Sequence, residues 1–236
     1  MSGLRLPASI RGVLFDKDGT LLDYAKTWMP ANRAAALFAA RGRREIADRL
    51  LRHGGHDPIT ETIAPGSLLA AGSVAEIADA FRAALDGDVP DDFHAGLAHV
   101  FAEAGFKHST LISGTRETVA RLRGGGLTLG IATNDTAAGL DASMAPHGIL
   151  EAFDFLATYD NGFAAKPDPA MALGFAAHAG VPVSACAIIG DSVHDLDCGR
   201  RAGFGLVVAV LSGTSLRADL ADRADVVIDS IADLAI

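Results

Sequence analysis

The chain is short of cysteine, of basic charge and of long apolar runs, and each shortage removes a class of function. Cys186 and Cys198 are its two cysteines. They have no metal-ligand spacing and are too few for a disulfide scaffold, so zinc and small secreted folds are set aside and a reducing, cytoplasmic setting is expected. Twenty basic residues face 29 acidic ones, a formal net charge of −9. Such a chain repels nucleic acid and anionic membranes. To handle phosphate it needs a cation or a few local basic groups. No stretch approaches the roughly 20 apolar residues of a membrane helix, and the opening MSGLRLPASIRG holds no continuous apolar segment, so no signal peptide is expected. What the chain does have is apolar bulk. Half of its 236 residues are hydrophobic, enough for one large domain or for a core with a smaller companion.

One stretch organises the rest: FDKDGTLLD, residues 15–23. The apolar run Ile10 to Phe15, broken by Arg11 and Gly12, stops on an acid and then on Asp18-Gly19, which reads as a buried strand opening into a loop. In an extended chain Asp16 and Asp18 point to the same side. Two carboxylates there repel unless a cation or a proton compensates. The bland alternative is an Asp-Gly turn with a solvated acid.

Residues 24–110 then change character. Val74, Ile77, Ala78, Phe81 and Leu85 line one helical face, as do Phe93, Leu97, Val100 and Phe101. Ile46, Leu50 and Leu51 mark a third helix, and 31–41 a fourth on propensity. The segment 53–66, HGGHDPITETIAPG, is punctuated as a loop. From 111 onward strands alternate with helices. LTLGIATND (127–135), FDFLAT (153–158), CAIIGD (186–191), LVVAV (206–210) and VVI (226–228) are the strands, with helices over 115–123, 168–179 and 194–202 among the connections. That order predicts an α/β fold, a Rossmann-like, mostly parallel sheet covered on both faces. The helical segment, 24–110, reads as an insertion between 1–23 and 111–236, with boundaries uncertain by six residues. Ligands of such sheets bind beyond the carboxyl ends of the strands.

The groups at those ends form a set. The first strand supplies Asp16 and Asp18. The second ends in Thr133-Asn134, a hydroxyl and an amide where a helix begins, which suits a phosphate but also an ordinary helix cap. Lys166 lies in AAKPDP, a loop stiffened by two prolines, as a phosphate counter-charge or a solvated one. Asp191 follows the apolar CAIIG, and Asp195 lies one helical turn on. With Asp16 they make an all-oxygen cluster, which suits Mg²⁺ rather than zinc.

Together DKDGT, ATN, KPDP and GDSVHD resemble the four motifs of the haloacid dehalogenase-like hydrolases, most closely the phosphoglycolate phosphatase branch with its helical cap. The resemblance implies a core at 1–23 and 111–236 and a cap at 24–110. It makes Asp16 the nucleophile and Asp18 the general acid and then base. Thr133, Asn134 and Lys166 would bind the phosphoryl group. Asp16, the Asp18 carbonyl, Asp191 and Asp195 would hold Mg²⁺. The implied activity is a Mg²⁺-dependent phosphomonoesterase acting on a small phosphate ester, 2-phosphoglycolate first among candidates, through an aspartyl-phosphate. A sugar-phosphate mutase of the same superfamily shares every core motif and is the alternative. A phosphorylatable signalling switch would be about half as long and would lack Asp18. A phosphonate hydrolase would carry a small residue at that position and a reactive cap lysine, whereas Lys26 and Lys107 are the cap's lysines. No core group remains to read the leaving group, so His53, His56 and Asp57 in the cap loop are the specificity candidates, the alternative being a solvent-facing connection. The oligomeric state is not legible.

Overall fold

A computed structural model describes residues 3–86 and 88–236. The chain opens with β1 (Leu4–Arg5) and β2 (Gly12–Phe15). A largely helical block follows: α1 (Tyr24–Ala39), α2 (Arg44–His53), β3 (His56–Asp57), β4 (Thr62–Ile63), α3 (Leu68–Ala71), α4 (Val74–Ala84) and α5 (Phe93–His108). The remainder alternates: α6 (Thr115–Gly124), β5 (Thr128–Thr133), α7 (Ala137–Met144), β6 (Phe155–Thr158), α8 (Ala170–Ala179) and β7 (Cys186–Gly190). It closes with α9 (Val193–Ala202), β8 (Leu206–Val210), α10 (Arg217–Leu220), β9 (Val226–Ile228) and β10 (Leu234–Ala235). The chain divides into two compact units, one of residues 1–23 with 111–236 and one of 24–110.

The larger unit is an α/β sandwich around six parallel strands in the order β6-β5-β2-β7-β8-β9. Its central strands β2, β7 and β8 are apolar and buried along their whole length because both faces are covered. Alternation sends Val13 and Phe15 into a layer with Val119 and Leu122 of α6 and Leu140 and Met144 of α7. Leu14 goes the other way, to Met171 and Phe175 of α8 and Leu196 and Cys198 of α9. Each such side chain contributes roughly 1.5–3 kcal/mol by burial. Gly12, which interrupts the apolar run, leaves room for a ring: a Cβ there would lie 2.9 Å from the Phe175 edge. Both cysteines are free and buried in this second layer, and burial pushes their thiols up to about 11. They are packing residues.

The smaller unit has its own core, built from α1, α2, α4 and α5 around Ala35, Ala36, Leu50, Phe81, Phe93 and Leu97. A capping box between Ser73 and Glu76 starts α4. Two expectations change here. α1 begins at Tyr24 rather than at 31 and runs through Pro30. Pro30 lacks the N–H for the Lys26 carbonyl, a cost of about 3 kcal/mol, and the buried face of Met29, Ala31, Ala35 and Ala39 offsets it. Second, the loop at 53–66 contains a small antiparallel hairpin, His56 pairing with Ile63 and Asp57 with Thr62. Strands of two residues leave no periodicity to read, and the parallel β1–β10 pair was illegible for the same reason. No helix among the described residues is long and apolar enough to cross a membrane.

Candidate active site

Because the six strands run parallel, β2, β5, β6 and β7 all deliver their C-terminal residues to one edge of the sheet. The β2 ladder continues one residue past the strand, with the Asp16 N–H donating to the Ile189 carbonyl at 2.9 Å. The chain then turns. Gly19 adopts φ +81° and its N–H donates to the Leu22 carbonyl at 2.7 Å. β2 ends at Phe15, and beyond it Asp18 still lies close enough to Asp16 to add repulsion. Each carboxylate also finds a cation.

Asp16 meets Lys166. The Lys166 ammonium donates to Asp16 Oδ1 at 2.6 Å, to Asp195 Oδ1 at 2.6 Å and to the Ala132 carbonyl at 2.7 Å. Burial alone pulls a lysine pKa down, but Asp16 and Asp195 outweigh it and hold this one protonated well above its usual range. The loop that presents Lys166 is fixed by Asn134. Its side-chain amide donates to the Lys166 carbonyl at 2.8 Å, and its oxygen accepts the Lys166 N–H at 2.7 Å. Asn134 thus clamps the lysine's backbone. Thr133, the last residue of β5, is 2 % exposed, and its hydroxyl accepts the Asp135 N–H at 3.2 Å.

Asp195 is locked by its own helix. The Ser192 N–H and hydroxyl donate to its Oδ2 at 3.0 and 2.6 Å, a capping box at the start of α9. Its other oxygen faces Lys166. Asp16, by contrast, has one oxygen on Lys166, and Oδ2 accepts no hydrogen bond from a described residue. Asp191 Oδ2 accepts the Thr214 N–H at 3.0 Å. Asp16, Asp191 and Asp195 are all buried and bring oxygens within 4.8 Å of one another.

Three carboxylates face one ammonium in a dry place. Burial raises Asp16 to about 7 against the pull of Lys166, with Asp195 and Asp18 adding repulsion. Burial also raises Asp191 well above the carboxylate range, again with Asp16 and Asp195 adding to it. Acids strained this way accommodate a cation, and an all-oxygen set suits a hard divalent ion. The donor set therefore fits a metal.

Asp18 pairs instead with its neighbour. The Lys17 ammonium lies 3.0 Å from Asp18 Oδ2, and it donates to Asp135 Oδ2 at 2.8 Å and to Ser143 Oγ at 3.0 Å. Sequence reading passed over Lys17 because a lysine after a strand reads as solvated. It also passed over residues 211–214, although they too follow a sheet strand, β8. The Ser212 hydroxyl donates to the Gly19 carbonyl at 2.7 Å, and a Cβ on Gly213 would fall 1.8 Å from Asp191 Oδ2. Only a glycine lets that backbone approach the carboxylate.

The remaining candidates lie in the helical unit. His53 is exposed at the end of α2, and Asp57 accepts the Ile59 N–H at 2.8 Å as a turn residue. His56 is 7 % exposed, and its Nε2 finds no hydrogen-bond partner among the described residues.

Comparison with known proteins agrees with this geometry. The family model described as haloacid dehalogenase-like hydrolase matches residues 10–203. The chain is 27% identical over 194 residues to an N-acetylmuramic acid 6-phosphate phosphatase of Pseudomonas putida, covering 82% of this chain and 80% of that one. It is 29% identical over 155 residues to a phosphoglycolate phosphatase of Nitrosococcus oceani, covering 64% and 68%. It is also 29% identical over 216 residues to a phosphonoacetaldehyde hydrolase of Bacillus cereus, covering 88% and 78%. The solved structure of a predicted phosphoglycolate phosphatase from Haemophilus somnus superposes with a TM-score of 0.71 at 18% identity, covering 96% of each chain, and so shares the fold. With its strand-end motifs on one sheet edge and the family match spanning them, the chain belongs to the haloacid dehalogenase-like hydrolase family and is an enzyme of that family, with phosphatases among its named relatives.

Proposed function

We propose that the chain is a Mg²⁺-dependent phosphomonoesterase that hydrolyses a small phosphorylated metabolite through a phosphoaspartate at Asp16. The observation that carries this reading is the Asp16 carboxylate itself, with Oδ1 held by Lys166 and Oδ2 unengaged. That free oxygen attacks phosphorus, an O–P bond forms, and the ester O–P bond breaks. Asp18 gives the departing alkoxide its proton, then takes one from the water that attacks phosphorus and releases Asp16. Two easier displacements replace one hard one, and the proton transfers are worth about 10²–10⁴-fold. Lys166 and Thr133 face the transferring group. Asp16, the Asp18 carbonyl and Asp191 would hold the metal, with Asp195 steadying Lys166. A divalent cation bound there would supply the positive charge that lets an anion approach an anion.

2-Phosphoglycolate is the first substrate to test and N-acetylmuramic acid 6-phosphate the second, since relatives carry both names. Phosphonoacetaldehyde ranks below them. Cleaving a P–C bond yields no alkoxide to protonate, and this chain keeps an acid at Asp18. Reading of the leaving group falls to the helical unit, with His53, His56 and Asp57 as candidates. Two buried free thiols accord with a reducing, cytoplasmic setting.

The test is phosphate release by purified protein with Mg²⁺ across these esters and sugar monophosphates. The same sugar phosphates with a trace of bisphosphate would reveal a mutase by isomerisation without release. Turnover should vanish with chelator and in Asp16→Asn. Full activity after rigorous chelation, or in Asp16→Asn, would refute the proposal. Alanine at His53, His56 or Asp57 should lower kcat/KM for the preferred metabolite and spare p-nitrophenyl phosphate. An equal effect on both would place specificity elsewhere.

A further inference from the structure

Between residues 33 and 52 the sequence carries six arginines against two acids, in a chain whose overall charge is −9. Such a local surplus of one sign is usually a solvated helix face. The fold, however, draws part of it around a hollow. A cavity of about 450 Å³ opens among α1, α2 and the β3–β4 hairpin, wholly inside the helical unit. Arg33, Arg44 and Arg52 line it together with Asp48, Glu61 and His56. Three guanidinium groups face two carboxylates there, a local excess of positive charge.

The partners are unevenly distributed. Arg33 pairs with Glu61, its guanidinium donating to the carboxylate. Arg44, Asp48 and Arg52 follow one another at i, i+4 and i+8 of α2, on one face. Neither the Arg44 nor the Arg52 guanidinium makes a hydrogen bond or ion pair with any described residue, although the Arg52 carbonyl accepts the Gly55 N–H. At the inner wall the His56 ring is more than nine-tenths buried, with Nε2 unpartnered and the Glu61 carboxylate 3.8 Å away. A buried imidazole nitrogen without a partner is costly to keep. Two unpaired guanidinium forks, an unsatisfied donor or acceptor behind them and a hollow between make a receptor for a planar or tetrahedral oxyanion. The volume matches a small metabolite.

We propose that this cavity is an anion-binding pocket for a small metabolite carrying a carboxylate or a phosphate, gripped by Arg44 and Arg52. The Arg33–Glu61 pair forms its side wall. When an anion takes up Arg33, Glu61 is released toward His56. The pocket needs nothing from the α/β unit and stands whether or not the core reaction is as proposed.

The test is a titration of the full-length, isotope-labelled protein followed by NMR at the arginine Nε–H signals. Sodium phosphate and sodium glycolate are the probes, and sodium chloride at matched ionic strength is the control. Saturable shifts are expected at Arg44 and Arg52 with at least one probe. In the Arg44→Ala/Arg52→Ala double variant, where both changes are at exposed positions, the remaining pocket signals of Arg33 should need about tenfold more probe or fail to saturate. In Asp16→Asn the titration should be unchanged, which separates this pocket from phosphate in the core. Saturation by glycolate alone identifies a carboxylate ligand, and by phosphate alone a phosphate ligand. Shifts that merely track ionic strength, as with chloride, overturn the proposal and leave a solvated face. So does saturation that survives the double variant. Absence of turnover on every ester would sink the core reading and leave this result untouched.

Discussion

Lys17 and Lys166 are both buried ammonium groups in the α/β unit, and each lies between two carboxylates, yet their surroundings differ in one respect. Around Lys17 the charges are cushioned. Asp18 and Asp135 keep 25% and 18% of their side chains in solvent, and Ser143 accepts a further bond. Around Lys166 a third acid, Asp191, joins Asp16 and Asp195, and all three are buried. Coulomb attraction raises both lysines against the downward pull of burial. In the second cluster burial raises Asp16 and Asp191 far above the ordinary carboxylate range. A balanced buried pair fixes structure. A dry surplus of one sign marks the place where chemistry or a metal completes the balance.

Removing the proposed nucleophile should have the largest effect. Asp16→Asn keeps the shape and one acceptor for Lys166, so the fold survives while kcat falls by about 10⁴-fold or more. Lys166→Met, on the same cluster, should lower kcat/KM by about 10²–10³-fold, read with a phosphate-release assay. Lys17→Met should invert that pattern. It leaves Asp18 and Asp135 with no shared cation, and breaking a buried pair costs about 3–5 kcal/mol, so urea unfolding should show the loss. Turnover of the folded fraction in the cold should fall less than in Lys166→Met. If Lys17→Met were stable and inactive, the division of labour between the two lysines would be wrong.

A smaller effect tests the missed loop. Gly213→Ala would push a Cβ into Asp191 Oδ2. Displacing a carboxylate in this way should weaken Mg²⁺ activation by about 10–100-fold, and since the new Cβ would also lie 2.5 Å from the Asp191 Cβ, the melting temperature of the metal-free protein should fall as well. The smallest effect is thermodynamic. Folding raises Asp16 from 3.8 to about 7, and Asp191 rises as well. Between those values the folded state binds more protons than the unfolded one, so metal-free stability should fall as pH rises from 4 to 7. Asp154, Asp160 and Asp225 are shifted down, and their contribution is lost only below the ordinary carboxylate range. Asp191→Asn should flatten the decline and raise the melting temperature of the metal-free protein near neutral pH, by about 2–4 °C per kcal/mol relieved. Calorimetry across that range, without and with Mg²⁺, checks both.

Much of this was legible in the sequence because the signals were local. Strands buried on both faces write apolar runs, and parallel strands must bring their ends to one edge, so Asp16, Thr133, Lys166, Asp191 and Asp195 were readable as a set. What escaped depends on contacts between distant residues. Lys17 finds Asp135 and Ser143 across more than a hundred positions. Gly213 matters only through its approach to Asp191, and nothing in LSGT announces that. Asn134 reads as a phosphate ligand from the sequence, and the further role of its amide, spanning the Lys166 backbone, is a contact across 32 positions that no local signal announces. The helix through Pro30 was hidden by a real local penalty that tertiary packing overrides.

The central claim is that Asp16 is phosphorylated in the course of each turnover. The stereochemical course at phosphorus tests it directly, using a monoester made chiral by sulfur and heavy-oxygen labels and hydrolysed in water carrying a third oxygen isotope. Two successive in-line displacements, first by Asp16 and then by water, predict retention of configuration. Inversion would mean that water attacks the ester in a single step, with Asp16 as no more than an anchor for charge.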